Sequence, residues 1–264
     1  MGWRAMGRLT QATLSGASYN GWDKNFNRTS DEVGLHSYND GDQLIDPGFV
    51  HDADGNQTAS TAYPSATYNG IDQTLSITKA GQAALAFGYA GMGQSERISA
   101  GATTTKNGVL GKQIETTGGQ STAYVHDAYG GLVYQDGPGG DDYYYYYFDG
   151  LGSVIGMTDT AGNQRAKYSY DPFGAHATET AVNGSLPANP WRWMGGLGST
   201  GLYHFGERYY DPELGRFLQV DPVAGGSCNA YDYACGDPIN SYDLTGTKAR
   251  GLCHLAASSG DTLS

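Results

Sequence analysis

The sequence predicts an all-β protein made of antiparallel hairpins, and three observations support this prediction. Aromatic segments of strand length recur along the 264 residues, separated by Gly, Asn and Asp. The chain contains 41 glycines and 21 tyrosines, a composition that favours tight turns and apolar strand faces. No apolar face with helical periodicity extends beyond about two turns, and the nearest candidate, Gln82–Phe87, is bordered by glycine on both sides.

Charge and hydropathy argue against nucleic acid as a partner, a membrane span and a signal peptide. The net charge of −12 argues against nucleic acid, because sequence-independent binding of DNA or RNA needs a basic surface. No run of about 18 apolar residues occurs, so we expect no membrane span. The first residues, Met1–Arg4, lack the apolar region of a secretory signal peptide.

Cysteine and histidine give no sign of a metal site. Three cysteines, at positions 228, 235 and 253, are too few for a disulfide framework. Cys228 and Cys235 either pair with each other or remain free thiols. The six histidines lack ligand spacing, and no phosphate-binding loop is present. We therefore expect no cofactor and no metal.

One short pattern recurs: aromatic, any residue, aromatic or His, Asp, two residues, Gly. Its period is about 20 residues, sometimes doubled. In the second copy Ala90 replaces the aspartate, and a sixth variant, Arg208–Gly215, carries one extra residue. The five regular copies are Phe49–Gly55, Phe87–Gly93, Tyr124–Gly130, Tyr146–Gly152 and Tyr168–Gly174.

The physical chemistry of this unit is that of a hairpin. Alternating aromatics place rings on one face of a sheet, Asp ends the strand by bonding to its own turn, and Gly supplies positive φ. Such a unit cannot bury its apolar face alone, so neighbouring units must pack together. Tyr143–Tyr147 is interpreted as a strand with aromatics on both faces, with a sugar-stacking platform as the alternative.

These units resemble the YD repeats of Rhs proteins, wall-associated bacterial proteins, insecticidal toxin-complex shell subunits and teneurins. The segments Gly201–Pro222 and Gly236–Gly246 are similar, almost residue for residue, to the Rhs repeat-associated core. The resemblance implies a fragment of an antiparallel YD-repeat shell, a spiral of β-hairpins, followed by an Rhs core domain. The expected boundaries are residues 1–190 for the shell segment, 191–246 for the core domain and 247–264 for a variable tail, the stub of a toxin region.

The resemblance also implies a catalytic site. Core domains of this family can act as aspartyl autoproteases that release a C-terminal toxin, and the matching positions here are Arg208, Asp221 and Asp243. Two neighbouring carboxyls can share one proton and activate water, and a nearby arginine can hold one of them ionised. The alternative is that both aspartates only end strands in turns.

The sequence departs from the family where cleavage would occur. The usual second motif is Asp-Pro-x-Gly-Leu, whereas this chain has Asp243–Thr247 with the sequence Asp-Leu-Thr-Gly-Thr. Leu244 thus replaces a proline and Thr247 replaces a leucine. By position, the scissile bond is Thr247–Lys248.

Two functions fit these expectations. The first is the C-terminal portion of a toxin shell that encapsulates and presents an effector, with at most one turnover of aspartyl autocleavage. The second is a structural or adhesive surface protein that does not cleave. The partners implied by the resemblance are the remainder of the shell, a C-terminal toxin and an immunity protein. The family also implies a secreted or cell-surface location.

Overall fold

The computed structural model describes residues 2–3, 9–11, 21–31, 34–140, 142–175 and 178–251. Cys253 and residues 252–264 of the predicted tail lie outside them. The strands within the described ranges are β1 (Gly2–Trp3), β2 (Leu9–Gln11), β3 (Gly21–Trp22), β4 (Arg28–Ser30), β5 (Val50–His51), β6 (Gln57–Ala59), β7 (Ser65–Tyr68), β8 (Thr74–Thr78), β9 (Leu85–Tyr89), β10 (Arg97–Ala100), β11 (Thr103–Gly108), β12 (Gly111–Thr117), β13 (Gln120–His126), β14 (Leu132–Asp136), β15 (Tyr143–Phe148), β16 (Val154–Thr158), β17 (Gln164–Ser169), β18 (Thr178–Ala181), β19 (Leu197–Ser199), β20 (Leu202–Phe205), β21 (Arg208–Asp211), β22 (Arg216–Phe217), β23 (Ser241–Tyr242) and β24 (Arg250–Gly251).

Helix is nearly absent from the described residues. It is confined there to two 3-10 turns of three residues, Trp193–Gly195 and Ala234–Gly236. Within these ranges, no helix is long and apolar enough to cross a membrane. The candidate Gln82–Phe87 contains a turn and the start of β9. The predicted all-β class is confirmed.

The chain divides into two compact units. One unit comprises residues 62–169 and 177–200, and its strands β7 to β18 form one sheet of twelve strands in chain order. Neighbouring strands are antiparallel, as in β15 and β16, where Tyr146 lies opposite Met157. This arrangement confirms the predicted succession of hairpins. The boundaries proposed at residues 190 and 246 stay a prediction.

The tyrosine-rich strand β15 has two different faces. Tyr146 is buried at 7% exposure, whereas Tyr145 and Tyr147 are 39% and 52% exposed. The Tyr146 hydroxyl donates to Gln135 Oε1 at 2.5 Å, which satisfies its polar end inside the unit. Aromatic residues therefore lie on both faces, as the sequence predicts.

The repeat aspartate builds the turn after its strand. Asp127 Oδ1 accepts hydrogen bonds from the backbone N–H groups of Tyr129 (2.8 Å) and Gly131 (2.9 Å). Gly130 donates to Asp127 O and has a φ of 86°, a conformation that favours glycine. Equivalent turns follow strands at Asp52, Asp149 and Asp171. The predicted placement of the repeat aspartates at strand ends is confirmed.

The copy at Phe87–Gly93 lacks this turn. Ala90 has no side-chain acceptor, and its N–H donates to Glu96 O, six residues ahead instead of four. Conversely, Asn39 and Asn69 form the same turn as the repeat aspartates, because their amide oxygen accepts the two backbone N–H groups. Asp23 and Asp159, which lie outside the recurring pattern, accept the same two bonds. The aromatic-Asp-Gly pattern therefore included one false copy and missed at least four turns in the described residues.

The other unit comprises residues 1–61, 170–176 and 201–264. Within it β20 pairs with β21, and β21 pairs with β22. Every residue of β20 and β21 is buried, so both faces of this sheet are covered. An aromatic cluster packs here: the Tyr210 ring lies 4.9 Å from Tyr233 and 5.6 Å from Phe217, between ring centroids. The first residue of β21 is Arg208, whose position is fixed by this packing.

A candidate aspartyl site around Arg208

Arg208 connects the two predicted aspartates. Its Nη2 donates to Asp221 Oδ2 and to Asp243 Oδ2, each at 3.0 Å. The two carboxylate oxygens are therefore at most about 6 Å apart, a distance that one bridging water can span. Arg208 Nε also donates to Gly246 O at 2.6 Å. The structure thus brings together all three residues that the sequence singles out.

Backbone and hydroxyl donors hold Asp221 in place. Asp221 follows β22, and its N–H donates to Ala230 O at 2.8 Å. Its Oδ1 accepts from the Val223 N–H at 2.8 Å, and its Oδ2 accepts from Ser227 Oγ at 3.0 Å. The side chain is 6% exposed. Asp221 therefore keeps a fixed orientation at the edge of the protein interior, near solvent.

Asp243 is completely buried, and it faces the predicted scissile bond. It follows β23, and its N–H donates to the Tyr233 hydroxyl at 3.2 Å. Its Oδ1 accepts from the N–H groups of Thr247 and Lys248, each at 3.1 Å. Lys248 N is the atom that would leave if the Thr247–Lys248 bond were cut. The chain after Asp243 turns back so that this nitrogen lies against the carboxylate.

The scissile segment is fixed mainly through its main chain. Glu207 N donates to Thr245 O, and Ala249 N donates to Gly226 O, both at 2.9 Å. Gly246 has a φ of 65°, and a Cβ there would overlap Phe205 O. These contacts place residues 245–249 between the start of β21 and the loop that follows Asp221.

Burial and ring contact set the electrostatics of the arginine. Arg208 is 0% exposed, and its Cζ lies 3.6 Å from the centroid of the Phe217 ring. Burial lowers the pKa of Arg208, while the charges of Asp221 and Asp243 oppose that shift. Burial also raises the pKa of the nearby Asp232 to about 6. A buried guanidinium is tolerated here because two carboxylates neutralise it.

A disulfide closes the loop between the two aspartates. Of the two alternatives for Cys228 and Cys235, the structure has them paired. Asp232 Oδ2 accepts from the Cys235 N–H at 2.6 Å, which ties the buried carboxylate to the bridge. The two sulfurs and the Asp232 carboxylate lie within 4.8 Å of one another, a spacing that could hold a metal ion. Disulfide pairing uses the thiolates that such an ion would require.

Sequence reasoning missed the supporting residues. Ser227, Tyr233 and Gly226 contact the aspartates or the scissile segment, although none is a titrating acid or base of the expected dyad. The sequence signal for Gly226 and Ser227 is the Gly-Gly-Ser run after Asp221-Pro, which breaks the strand pattern, and Tyr233 lies outside this run. Fold and site together define a β-hairpin repeat protein in which a buried arginine, the first residue of β21, binds the carboxylates of two loop aspartates.

Comparison with known proteins finds similarity to YD-shell proteins. The Teneurin YD-shell model matches residues 110–231. The tRNA3(Ser)-specific nuclease WapA of Bacillus spizizenii is 29% identical over 252 residues, which cover 91% of this chain and 9% of that protein. Toxin protein Tse5 of Pseudomonas aeruginosa is 37% identical over 101 residues, which cover 37% of this chain and 7% of that protein.

Solved structures agree with this assignment. The crystal structure of TcdB2-TccC3 matches with a TM-score of 0.67 at 18% identity, covering 92% of this chain and 15% of that chain. TcdB2-TccC3 without its hypervariable C-terminal region matches with a TM-score of 0.66, covering 93% and 14%. At this identity the likeness concerns the fold alone.

The family model, the relatives and the solved structures together support an Rhs/YD shell protein. The chain spans about a tenth of the length of the WapA proteins that it matches over most of its own length.

Proposed function

We propose that this chain is the C-terminal portion of a toxin shell and that its core domain cuts its own Thr247–Lys248 bond. One observation carries the proposal: Asp243 Oδ1 lies 3.1 Å from Lys248 N, the leaving nitrogen of that bond. Arg208 binds both carboxylates and also the carbonyl of Gly246, which precedes the scissile bond by one residue. Substrate and acid pair are thus held by one guanidinium.

The chemistry needs one proton transfer, from the attacking water through the two carboxylates to the leaving nitrogen. Water adds to the carbonyl carbon of Thr247, and Asp221, the carboxyl nearer to solvent, takes the water proton. The nitrogen of Lys248 becomes basic in the tetrahedral intermediate. Asp221 passes the water proton through Asp243 to this nitrogen, which lies 3.1 Å from Asp243 Oδ1. The C–N bond breaks, giving a carboxylate on Thr247 and a free amine on Lys248. Because the cut segment is part of the chain, each molecule reacts once.

The departures from the family motif fall on side chains that contribute little to the site. Leu244 is 43% exposed, so the missing proline leaves no gap in the interior. The Thr247 hydroxyl contacts that of Thr245 at 2.8 Å on the exposed side. The contacts to the acid pair come from the N–H groups of residues 247 and 248, which any residue except proline can supply.

The test is the intact mass of the purified chain beside its Asp221→Asn and Asp243→Asn variants. Self-cleavage predicts that the wild type loses the residues after Thr247, while both variants keep their full mass. Full mass in all three would refute the protease and leave Asp221 and Asp243 as structural ligands of Arg208. Circular dichroism of each variant should confirm that the β-structure is retained.

The wider role rests on the relatives. WapA proteins and Tse5 carry nuclease and toxin in their names, and this chain aligns with only part of each. We propose that the remainder of the shell and a C-terminal toxin are its partners, that an immunity protein protects the producing cell, and that the assembly is secreted or displayed at the surface. Co-purification of the longer protein with its cleaved C-terminal region tests this proposal.

A further inference from the structure

We infer that Gly226 determines which peptide bond reaches the acid pair. Its lack of a side chain leaves a space, called the seat below, that the carbonyl of residue 247 occupies. This inference rests on the proposed self-cleavage and names the residue that sets its position. Gly226 lies five residues after Asp221 in the loop that precedes the disulfide. It is buried, whereas the neighbouring Gly225 is exposed.

The reason for glycine at position 226 is space. A Cβ there would overlap the Thr247 carbonyl oxygen and would lie 2.9 Å from Asp221 Oδ2 and 3.0 Å from Val223 O. The carbonyl of the scissile bond and the carboxylate of Asp221 therefore border the same small space. Gly226 does not have a left-handed φ, so the backbone conformation alone would accept alanine. The nearest obstacle to a side chain is the Thr247 carbonyl of the substrate segment, ahead of Asp221 and Val223.

Two hydrogen bonds fix this seat. Gly226 N donates to Val223 O, and Gly226 O accepts from Ala249 N, both at 2.9 Å. The first bond holds Gly226 in the loop that also positions Asp221, and the second holds the chain just after the scissile bond. A shift of the segment by one residue would move the carbonyl out of the space beside Gly226 and remove the Ala249 bond.

The contact between Gly226 and the Thr247 carbonyl therefore selects the peptide bond to be cut by its position along the main chain. A methyl group at position 226 must push the carbonyl of residue 247 away from Asp221, or push the loop away from the segment. A displacement of about 1 Å in a reacting group can slow a reaction by about 100-fold. We expect Gly226→Ala to slow self-cleavage by at least this factor and Gly226→Val to slow it further.

The experiment compares Gly226→Ala and Gly226→Val with Gly150→Ala. Gly150 is the matched control, because it also has no left-handed φ and a Cβ there meets no atom within 4 Å. Cleavage is followed by mass spectrometry over time. In parallel, hydrogen exchange of the Lys248 and Ala249 amides is measured in an Asp221→Asn background, in which the chain stays intact. The Leu218 amide, which donates to Tyr209 O, reports the core.

The expected result is slow or absent cleavage in both Gly226 variants, wild-type cleavage in Gly150→Ala, and faster exchange at residues 248 and 249 with Leu218 unchanged. Cleavage of Gly226→Ala at the control rate would overturn the inference. Unchanged protection of residues 248 and 249 in Gly226→Ala would overturn it as well, whether or not any chain cleaves. If the wild type does not cleave but Gly226→Ala loses this protection, the seat stands and the proposed protease fails.

Discussion

Replacing Arg208 by methionine should severely destabilise the unit that contains strands β20 to β22. Methionine keeps the apolar contact with Phe217 but removes the cation that neutralises Asp221 and Asp243, which are 6% and 0% exposed on their side chains. Removing one partner of a buried ionic cluster costs about 3–5 kcal/mol, and the unpaired Gly246 carbonyl adds about 1 kcal/mol or more. We therefore expect the free energy of unfolding at pH 7 to fall by about 4–6 kcal/mol.

Urea denaturation followed by tyrosine fluorescence measures this loss, with intact mass recorded first so that only full-length chains are compared. The matched control adds Asp221→Asn and Asp243→Asn to the arginine variant, so that neither carboxylate of the pair is left buried without its cation. It should regain at least about 2 kcal/mol relative to Arg208→Met alone, because the cost comes mainly from uncompensated charge. A loss below about 1 kcal/mol in Arg208→Met, or no recovery in the triple variant, would refute this reasoning.

Three further predictions concern single features of the same unit. Gly246→Ala should lower stability by about 2 kcal/mol or more in thermal unfolding, because its left-handed φ and the approach of Phe205 O both disfavour a side chain; an unchanged melting temperature would contradict this. Replacing Cys228 and Cys235 by serine opens a short loop and should cost about 2.5 kcal/mol in denaturant titration, whereas equal stability of the unreduced wild type and the variant would show that the bridge had not formed. Burial raises the pKa of Asp211 to about 6, so its native state binds an extra proton between pH 4 and 6. The resulting stability, about 3 kcal/mol, is full below about pH 4 and is lost as pH rises through about 6. Asp211→Asn should remove that part of the pH dependence, and an unchanged profile in melting temperature between pH 4 and 7.5 would count against it.

The hairpin fold could be predicted because its determinants are local. An aspartate and a glycine three residues later complete a turn almost without help from the rest of the chain, as at Asp127 and Gly130. The pattern failed where another residue does the same work. At Asn39 and Asn69 an amide oxygen accepts the same backbone bonds, and an aspartate three residues later adopts the positive φ.

Of the candidate site, only the two aspartates and their arginine could be predicted from the sequence. Asp221 and Asp243 stand out because carboxyls in family motifs carry recognisable chemistry, and the resemblance named Arg208 with them. Gly226 and Tyr233 stand out only after folding, since each acts through a segment far away in sequence. Whether residue 226 has room for a side chain depends on where residue 247 lies, and no local pattern contains that information.

The self-contained turn of the repeat aspartate has a consequence for how such chains change length. Since the carboxylate satisfies its own turn and no neighbouring strand, removing a hairpin removes the carboxylate of that turn together with its backbone partners. Losing a single strand would reverse the direction of every strand after it, whereas losing two preserves the direction. Recombination between the copies at Tyr146–Gly152 and Tyr168–Gly174 would delete about 22 residues, one repeat, and rejoin the sheet in register. Shells of this kind are therefore expected to grow and shrink by pairs of strands.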